Sequence, residues 1–409
     1  MQRCAVLLDS TCRAVRALPT PLFVDNDEHS SALQEARDNV SALATRLDSI
    51  DRALVAAHSS ELFTPADLHK YDVLRDSMRV DVRHVALLQR ELEHIAAAPT
   101  VLPPPLCALV VRSQPFPVSV MQNKVMEEVV VVELVTGAKT EVVRAGDVSG
   151  EVVVDYRANT RRVGEVKVNN GVAPLDKFSN RARFSRLQFP NGTRKAAANL
   201  KFSCHIECVD MSSEATASNV GHRVRHGAPT KELYVESDAT EAVIVKTNEK
   251  QWQESEGLLL RQRAFGGSLE VAWVQFWNAF HWHHLRSTRQ LLAQCHRPLT
   301  GREMRYVHQT RFSNATHVTQ RQFNQFWSWI GPMQHKIRHQ RHMCALWATR
   351  MVAGFLSRDV AIEALRREQQ RSGGAGQYVV RFSENYAGGL VITYNSHSAG
   401  VKMTATTTT

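Results

Sequence analysis

The segment QYVVRFSEN, from Gln377 to Asn385, places an arginine, a serine and a glutamate at the end of a strand-like run. Side chains alternate along a strand, so Val379, Arg381 and Ser383 share one face and Val380 and Phe382 the other. One face is core, and the other brings a guanidinium to its buried side. Such a group stays ionised at physiological pH and donates two parallel charge-assisted hydrogen bonds, a match for phosphate. Ser383 and the amides of the following turn could complete an anion cradle. On the strand pattern alone, a surface arginine of an ordinary hairpin is the simpler reading.

A second segment, ATEAVIVKTNEKQW from Ala239, ends a strand-like run on Asn248. An asparagine amide carries one donor and one acceptor, enough to read a base edge in the major groove. A lone Thr-Asn pair is otherwise simply a turn. Lys246, with Arg157, Arg161, Arg162, Arg223 and Arg225, suits contacts to backbone phosphates that position a protein without reading sequence. Each of these cations taken singly is a solvated surface residue. The chain as a whole carries a net charge of +10, a field that attracts polyanions.

Two histidine-rich stretches, His281 to His284 and His339 to Cys344, hold zinc-type ligands. Their spacing suits no standard zinc pattern, and aromatic residues interleave with them, so packed helical histidines are expected and no metal. No Gly-rich phosphate loop with a following lysine, nucleophile elbow or paired-carboxylate motif is present. Neither catalytic residues nor a cofactor are expected.

The elements that must carry these residues follow from pattern. At 409 residues, with 43% hydrophobic and 22% charged composition, the chain is expected to be globular and multidomain. Its longest apolar runs are too short to span a bilayer, and the start is interrupted too early for a signal peptide. Seven cysteines without regular spacing suggest no disulfide framework and fit a reducing cytosolic or nuclear compartment.

From Leu33 the positions Leu33, Ala36, Val40, Leu43, Leu47, Ile50 and Leu54 step by threes and fours, the seam of a coiled coil. Thr64 as cap and Pro65 as first residue open a second helix, striped by Tyr71, Leu74, Met78, Val82, Val85, Leu88, Leu92 and Ile95. An antiparallel hairpin over 22–99 is predicted, ended by the proline run after Ala98. Short valine-rich runs separated by turns, with AGDVSG among the turns, predict an antiparallel β-sandwich or barrel over 100–256. After Gly257 the pattern is helical to 346. A last section over 347–409 reads as helix, Gly-rich turn and two strands, closing on a low-complexity TATTTT.

The series FLSRDVAIEAL, then GAGQYVVRFSENYAGGLVITY, resembles the helix, first strand, phosphate loop and second strand of a Src-homology-2 domain in its STAT form. By that resemblance Arg381 is the phosphate-binding arginine, Ser383 and Glu384 belong to the phosphate loop, and Arg358 is the second basic residue at the helix start. The stretch ending on Asn248 resembles the base-reading end of the STAT DNA-binding domain. The tryptophan- and histidine-rich stretches from Trp277 and Phe323 resemble the helical linker of amoebozoan STAT proteins.

The family resemblance implies a multidomain α and β architecture: a coiled-coil hairpin, an immunoglobulin-like DNA-binding domain, a helical linker and an incomplete SH2 domain. It implies a cytoplasmic and nuclear transcription factor that binds phosphotyrosine-containing proteins, dimerises after tyrosine phosphorylation and grips double-stranded DNA. Departures stand beside it. No separate amino-terminal domain is recognisable, two helices stand where the family usually has four, no tyrosine follows the last module, and the later SH2 elements have no counterpart. The alternative reading is a phosphotyrosine adaptor or dominant-negative fragment that does not bind DNA productively.

Overall fold

The computed structural model of the chain describes residues 13, 26–97, 103–113, 117–154, 168–193, 197–209, 229–290, 295–372, 377–396 and 400–406. The chain divides into two units, Met1–Val55 with Asp72–Glu249, and Ala56–Tyr71 with Lys250–Thr409.

Two long helices, α1 (Asn26–Ser60) and α2 (Pro65–Ala97), contribute to both units. In the first unit Ala36, Val40, Leu43 and Leu47 of α1 bury against Val85, Leu88, Leu92 and Ile95 of α2. Val82, placed by its spacing in that seam, is instead 50% exposed. The reason is a second apolar stripe on α2. Val80 and Leu87 turn away from α1 and pack on Ala108, Val110 and Val135 of the β domain. Glu91, fully buried, completes this docking by accepting hydrogen bonds from the amides of Ala138 (2.7 Å) and Lys139 (2.9 Å).

The β domain comprises β1 (Cys107–Ser113), β2 (Val118–Met121), β3 (Val130–Thr136), β4 (Val142–Ala145), β5 (Val148–Val154), β6 (Val172–Ala173), β7 (Arg181–Phe184), β8 (Ala198–Val209), β9 (Thr230–Glu236) and β10 (Val243–Lys246). One sheet runs β1-β3-β7; the other runs β2-β10-β8-β5-β6, with β4 and β9 also on β8. The 12-residue β8 is the spine. Its Ala198, Leu200, Phe202, Cys204, Ile206 and Cys208 are all buried, the period of two expected of a strand with one face on a core. Phe202 meets Phe184 of the other sheet with ring centroids 4.8 Å apart.

The fully antiparallel sandwich predicted from the valine runs needs one correction, because β2 and β10 pair parallel. They are far apart in sequence, and only a long connection lets two strands run the same way. AGDVSG, expected as a turn, also contributes Val148, Ser149 and Gly150 to β5. Gly150 is there for closeness, since a Cβ would strike the Phe202 ring.

In the second unit, the hairpin tip packs Phe63 and Leu68 on Trp282 and Leu285. Thr64 Oγ1 accepts from the Asp67 amide while the Asp67 carboxylate accepts from the Thr64 amide, a reciprocal cap at the start of α2. Two helix–strand–helix units follow: α3 (Trp252–Phe265), β11 (Glu270–Ala272) and α4 (Trp273–Ser287), then α5 (Gly301–Phe312), β12 (His317–Thr319) and α6 (Gln320–His339). The short strands β11 and β12 pair antiparallel. The helical section expected after Gly257 starts at Trp252, and Gly257 lies inside α3 because a methyl there would overlap the Trp327 indole.

Aromatic residues fill this body, with Phe276, Phe280, Phe312, Phe323 and Phe326 essentially inaccessible. Helix α7 (Arg341–Ala348) leads to α8 (Arg358–Ser372) and to a sheet of β13 (Tyr378–Phe382), β14 (Leu390–Ser396) and β15 (Gly400–Thr406). The sequence pattern predicts two strands in the last section; the structure adds β15, paired along the whole of β14. Threonine is a good strand former, which a reading of TATTTT as low complexity overlooks.

Candidate functional site

Strand β13 is held on its other side by the segment entering α8. The Ala353 amide donates to the Val380 carbonyl (2.7 Å), and the Phe382 amide to the Gly354 carbonyl (3.1 Å). This clamp sets Arg381 beneath the start of α8. Its side chain is 3% exposed. Nη1 donates to the carbonyls of Leu356 and Phe382 and lies 3.3 Å from Glu384 Oε1, while the buried Nε has no hydrogen-bond partner among the described residues. An ionised, buried guanidinium with donors unmet or met at long distance suits an anion.

The turn 383–389 closes over it. Ser383 is buried, and its Oγ accepts from the amides of Asn385 (3.3 Å) and Tyr386 (3.1 Å). Those amides were expected to face a ligand; here they face the serine. The Arg358 side chain is exposed at the first turn of α8, and its backbone amide donates to Glu384 Oε1 at 3.2 Å. Arg381, Ser383, Glu384 and the start of α8 at Arg358 therefore converge.

Three residues that sequence reasoning missed support the same turn. Arg311 of α5 donates to the Glu384 carbonyl and lies 3.9 Å over the Trp329 ring. Trp329 of α6 donates its indole N–H to the Ser383 carbonyl at 3.0 Å. Tyr306 of α5 lies near the Glu384 carboxylate, and burial, then the negative charge of Glu384, pushes its hydroxyl up to about 12 against the opposing pull of Arg311 and Arg381. The available sequence signal was Thr300-x-x-Glu303, a capping box that fixes where α5 starts and hence which of its residues share a face. Gly388 closes the turn at φ +69°, where a Cβ would press on Pro332 of α6.

In the first unit Asn248 is exposed just beyond β10. Lys246, expected with the surface cations, is instead buried with Nζ 3.4 Å from Glu249 Oε2. All four residues of β10 are buried, so this strand offers no solvent face. Arg157, Arg161, Arg162, Arg223 and Arg225 lie outside the described residues.

Two other segments join Asn248 at this edge. The Gln122 amide donates to the Lys246 carbonyl (2.8 Å), and the Thr193 amide to the Val245 carbonyl (2.9 Å). Exposed Asn123, Lys124 and Asn191 thereby lie on loops tied to the same strand end. Asn123 at φ 59° occupies a left-handed turn, the signal that could have marked the first of these loops.

The histidines of α4 are core residues. His281, His283 and His284 are buried among aromatic rings and arginines. Burial, before all other causes, holds His281 down at about 4 and His283 at about 3, and holds His284 well below the usual imidazole value. For His283 the nearby Arg263, Arg286 and Arg338 act in the same direction, and Glu256, 3.5 Å away, does not offset them. Among the described residues no group of three His, Cys, Asp or Glu side chains is gathered to hold a metal, and no helix is long and apolar enough to cross a membrane.

Comparison with known proteins matches residues 107–226 to the STATa immunoglobulin-like domain and residues 248–340 to an EF-hand fold domain. The paired helix–strand–helix units agree with the second match. The residues do not fit calcium: the loop from Gly266 to Ala272 has one carboxylate, Glu270, and the loop from Ser313 to Thr319 has none, whereas such a site needs six or more oxygens. The chain is similar to two Dictyostelium discoideum proteins. It is 31% identical to signal transducer and activator of transcription A over 93% of its own length and 50% of that protein. It is 29% identical to signal transducer and activator of transcription B over 90% of its own length and 30% of that protein. The chain thus spans about half of the first relative and less of the second.

Proposed function

The chain belongs to the STAT family, and from that premise we propose that it is a phosphotyrosine-dependent, sequence-specific DNA-binding transcription factor rather than an enzyme. The observation that carries the reading is Arg381: an arginine of β13, 3% exposed beneath the start of α8, whose Nε has no hydrogen-bond partner among the described residues. In this reading α8 and the β13–β14–β15 sheet are an SH2 domain, and α1 with α2 is the family's coiled coil. Arg381 takes the phosphate, Ser383 shapes the turn that holds it, and the Arg358 side chain closes over the ligand from the helix start.

Phosphotyrosine-containing proteins, including a second phosphorylated copy of the chain, are the partners of this module. Two β domains brought together this way read a palindromic duplex by two-fold symmetry. Asn248 makes the base contact and Lys246, paired with Glu249, positions its loop. Arg157, Arg161, Arg162, Arg223 and Arg225 hold the phosphate backbone. The protein works in the cytoplasm and the nucleus, and the roles of linker and hairpin are to transmit geometry and to offer a surface to other proteins.

The test is binding to a labelled palindromic duplex, with and without tyrosine-kinase treatment, across a salt series. The proposal expects kinase treatment to strengthen binding in the wild type and not in Arg381→Ala, with affinity falling as salt rises. Absence of binding at every low salt concentration after kinase treatment would sink it.

A further inference from the structure

The arginine that the proposed function assigns to a phosphate is covered by a residue of its own turn. Glu384 Oε1 lies 3.3 Å from Arg381 Nη1 and accepts from the Arg358 amide at 3.2 Å. The carboxylate therefore stands where guanidinium and helix N-terminus converge, which is where an anionic ligand would be held. Arg381 is 3% exposed beneath it, whereas Glu384 is 37% exposed.

We propose that Glu384 is an intramolecular occupant of this site, displaced when a phosphate enters, and that it sets both the affinity of the site and its preference for a doubly charged anion. This rests on the reading of Arg381 as a phosphate binder.

Three features make displacement the natural step. The ion pair is long and incomplete, since the buried Arg381 Nε has no hydrogen-bond partner among the described residues. A phosphate brings a third oxygen and nearly a second negative charge, so it can meet that nitrogen while keeping the contacts the carboxylate gives up. The backbone of the turn is held independently of the Glu384 side chain, by Arg311 on the Glu384 carbonyl and Trp329 on the Ser383 carbonyl. The side chain can then swing outward without moving the cradle. It is already partly in water, and swinging outward restores the rest of its hydration. A singly charged anion exchanges one negative charge for another and gains far less.

The experiment is calorimetric titration of a phosphotyrosine peptide, and of the same peptide carrying singly charged sulfotyrosine. The proteins are the wild type, Glu384→Gln, Glu384→Ala and Arg381→Ala, each checked for native circular dichroism. The inference expects both Glu384 variants to bind phosphotyrosine about tenfold more tightly, the worth of one partly exposed charge-assisted hydrogen bond. It also expects sulfotyrosine to gain at least as much, narrowing the ratio between the two peptides. If Glu384→Ala does not fold, Glu384→Gln, which keeps the shape, decides. Unchanged or weaker binding by Glu384→Gln, with binding still lost in Arg381→Ala, overturns this inference alone. Binding that Arg381→Ala leaves intact overturns the phosphotyrosine reading and this inference with it.

Discussion

Glu303 is the most informative place to perturb the second unit. Its carboxylate accepts from Arg297 Nη2 at 2.8 Å and Nη1 at 3.0 Å, from the Thr300 amide and hydroxyl at 2.8 and 2.9 Å, and from the Phe355 amide at 3.4 Å. The two side chains are 6% and 3% exposed. Glu303→Ala strands the Arg297 charge in the interior, a loss of about 3 to 5 kcal/mol, and removes half of the capping box, about 1 kcal/mol more. Arg297→Met strands the carboxylate and should cost a similar about 3 to 5 kcal/mol. The double variant Arg297→Met with Glu303→Leu leaves no uncompensated charge and should lose clearly less than the two single losses combined. Urea unfolding followed by tryptophan fluorescence is a direct assay, because Arg297 stacks 4.4 Å over the Trp347 ring. A single-variant loss below about 1 kcal/mol, the scale of an exposed pair, would refute the reasoning, as would additive losses in the double variant. The consequence reaches the candidate site, since Glu303 starts the helix that carries Tyr306 and Arg311.

Acid should weaken the second unit. His281, His283 and His284 have folded-state values below the ordinary imidazole value, so below about pH 6.5 the unfolded chain binds protons that the folded chain excludes. Stability is unaffected above that pH and falls as pH drops toward 4, by up to about 1.4 kcal/mol per pH unit per histidine. Urea midpoints from pH 7.5 to 4.5 check this, and replacing His283 by Gln should flatten the slope. Gly257→Ala should destabilise by about 1 to 3 kcal/mol through overpacking on Trp327, read as a lower thermal midpoint; no change would mean that α3 and α6 pack more loosely than described. Trp329→Phe keeps the ring packing but releases the Ser383 carbonyl, costing about 1 kcal/mol and lowering phosphotyrosine-peptide affinity several-fold in a direct titration.

Periodicity made much of this fold legible. Ala36, Val40, Leu43 and Leu47 share one stripe and bury together, and the run after Val129 is β3. What escaped had a tertiary cause. Val80 and Leu87 pack on a sheet that no helical period announces, so the single stripe placed Val82 inside and the structure leaves it out. Gly150 and Gly257 read as punctuation, yet each sits within an element because an aromatic ring presses against it.

The candidate phosphate site was legible at Arg381, Ser383, Glu384 and Arg358 because they cluster in short segments with strand and helix patterns. Tyr306, Arg311 and Trp329 were not, since their places depend on how α5 and α6 pack beneath the turn. Lys246 misled because charge suggests a surface while its strand is buried. Asn248 stands out in its segment, whereas Asn123, Lys124 and Asn191 reach the same edge only through the hydrogen bonds that tie their loops to β10.

Titration of a phosphotyrosine peptide against wild type, Arg381→Lys and Arg381→Ala tests the account most directly. It predicts measurable wild-type binding that depends on the phosphate. Arg381→Lys, which loses the planar fork, should weaken binding by about tenfold or more, and Arg381→Ala should lose more still. Equal affinity for the three proteins, or equal binding of the unphosphorylated peptide, would contradict it.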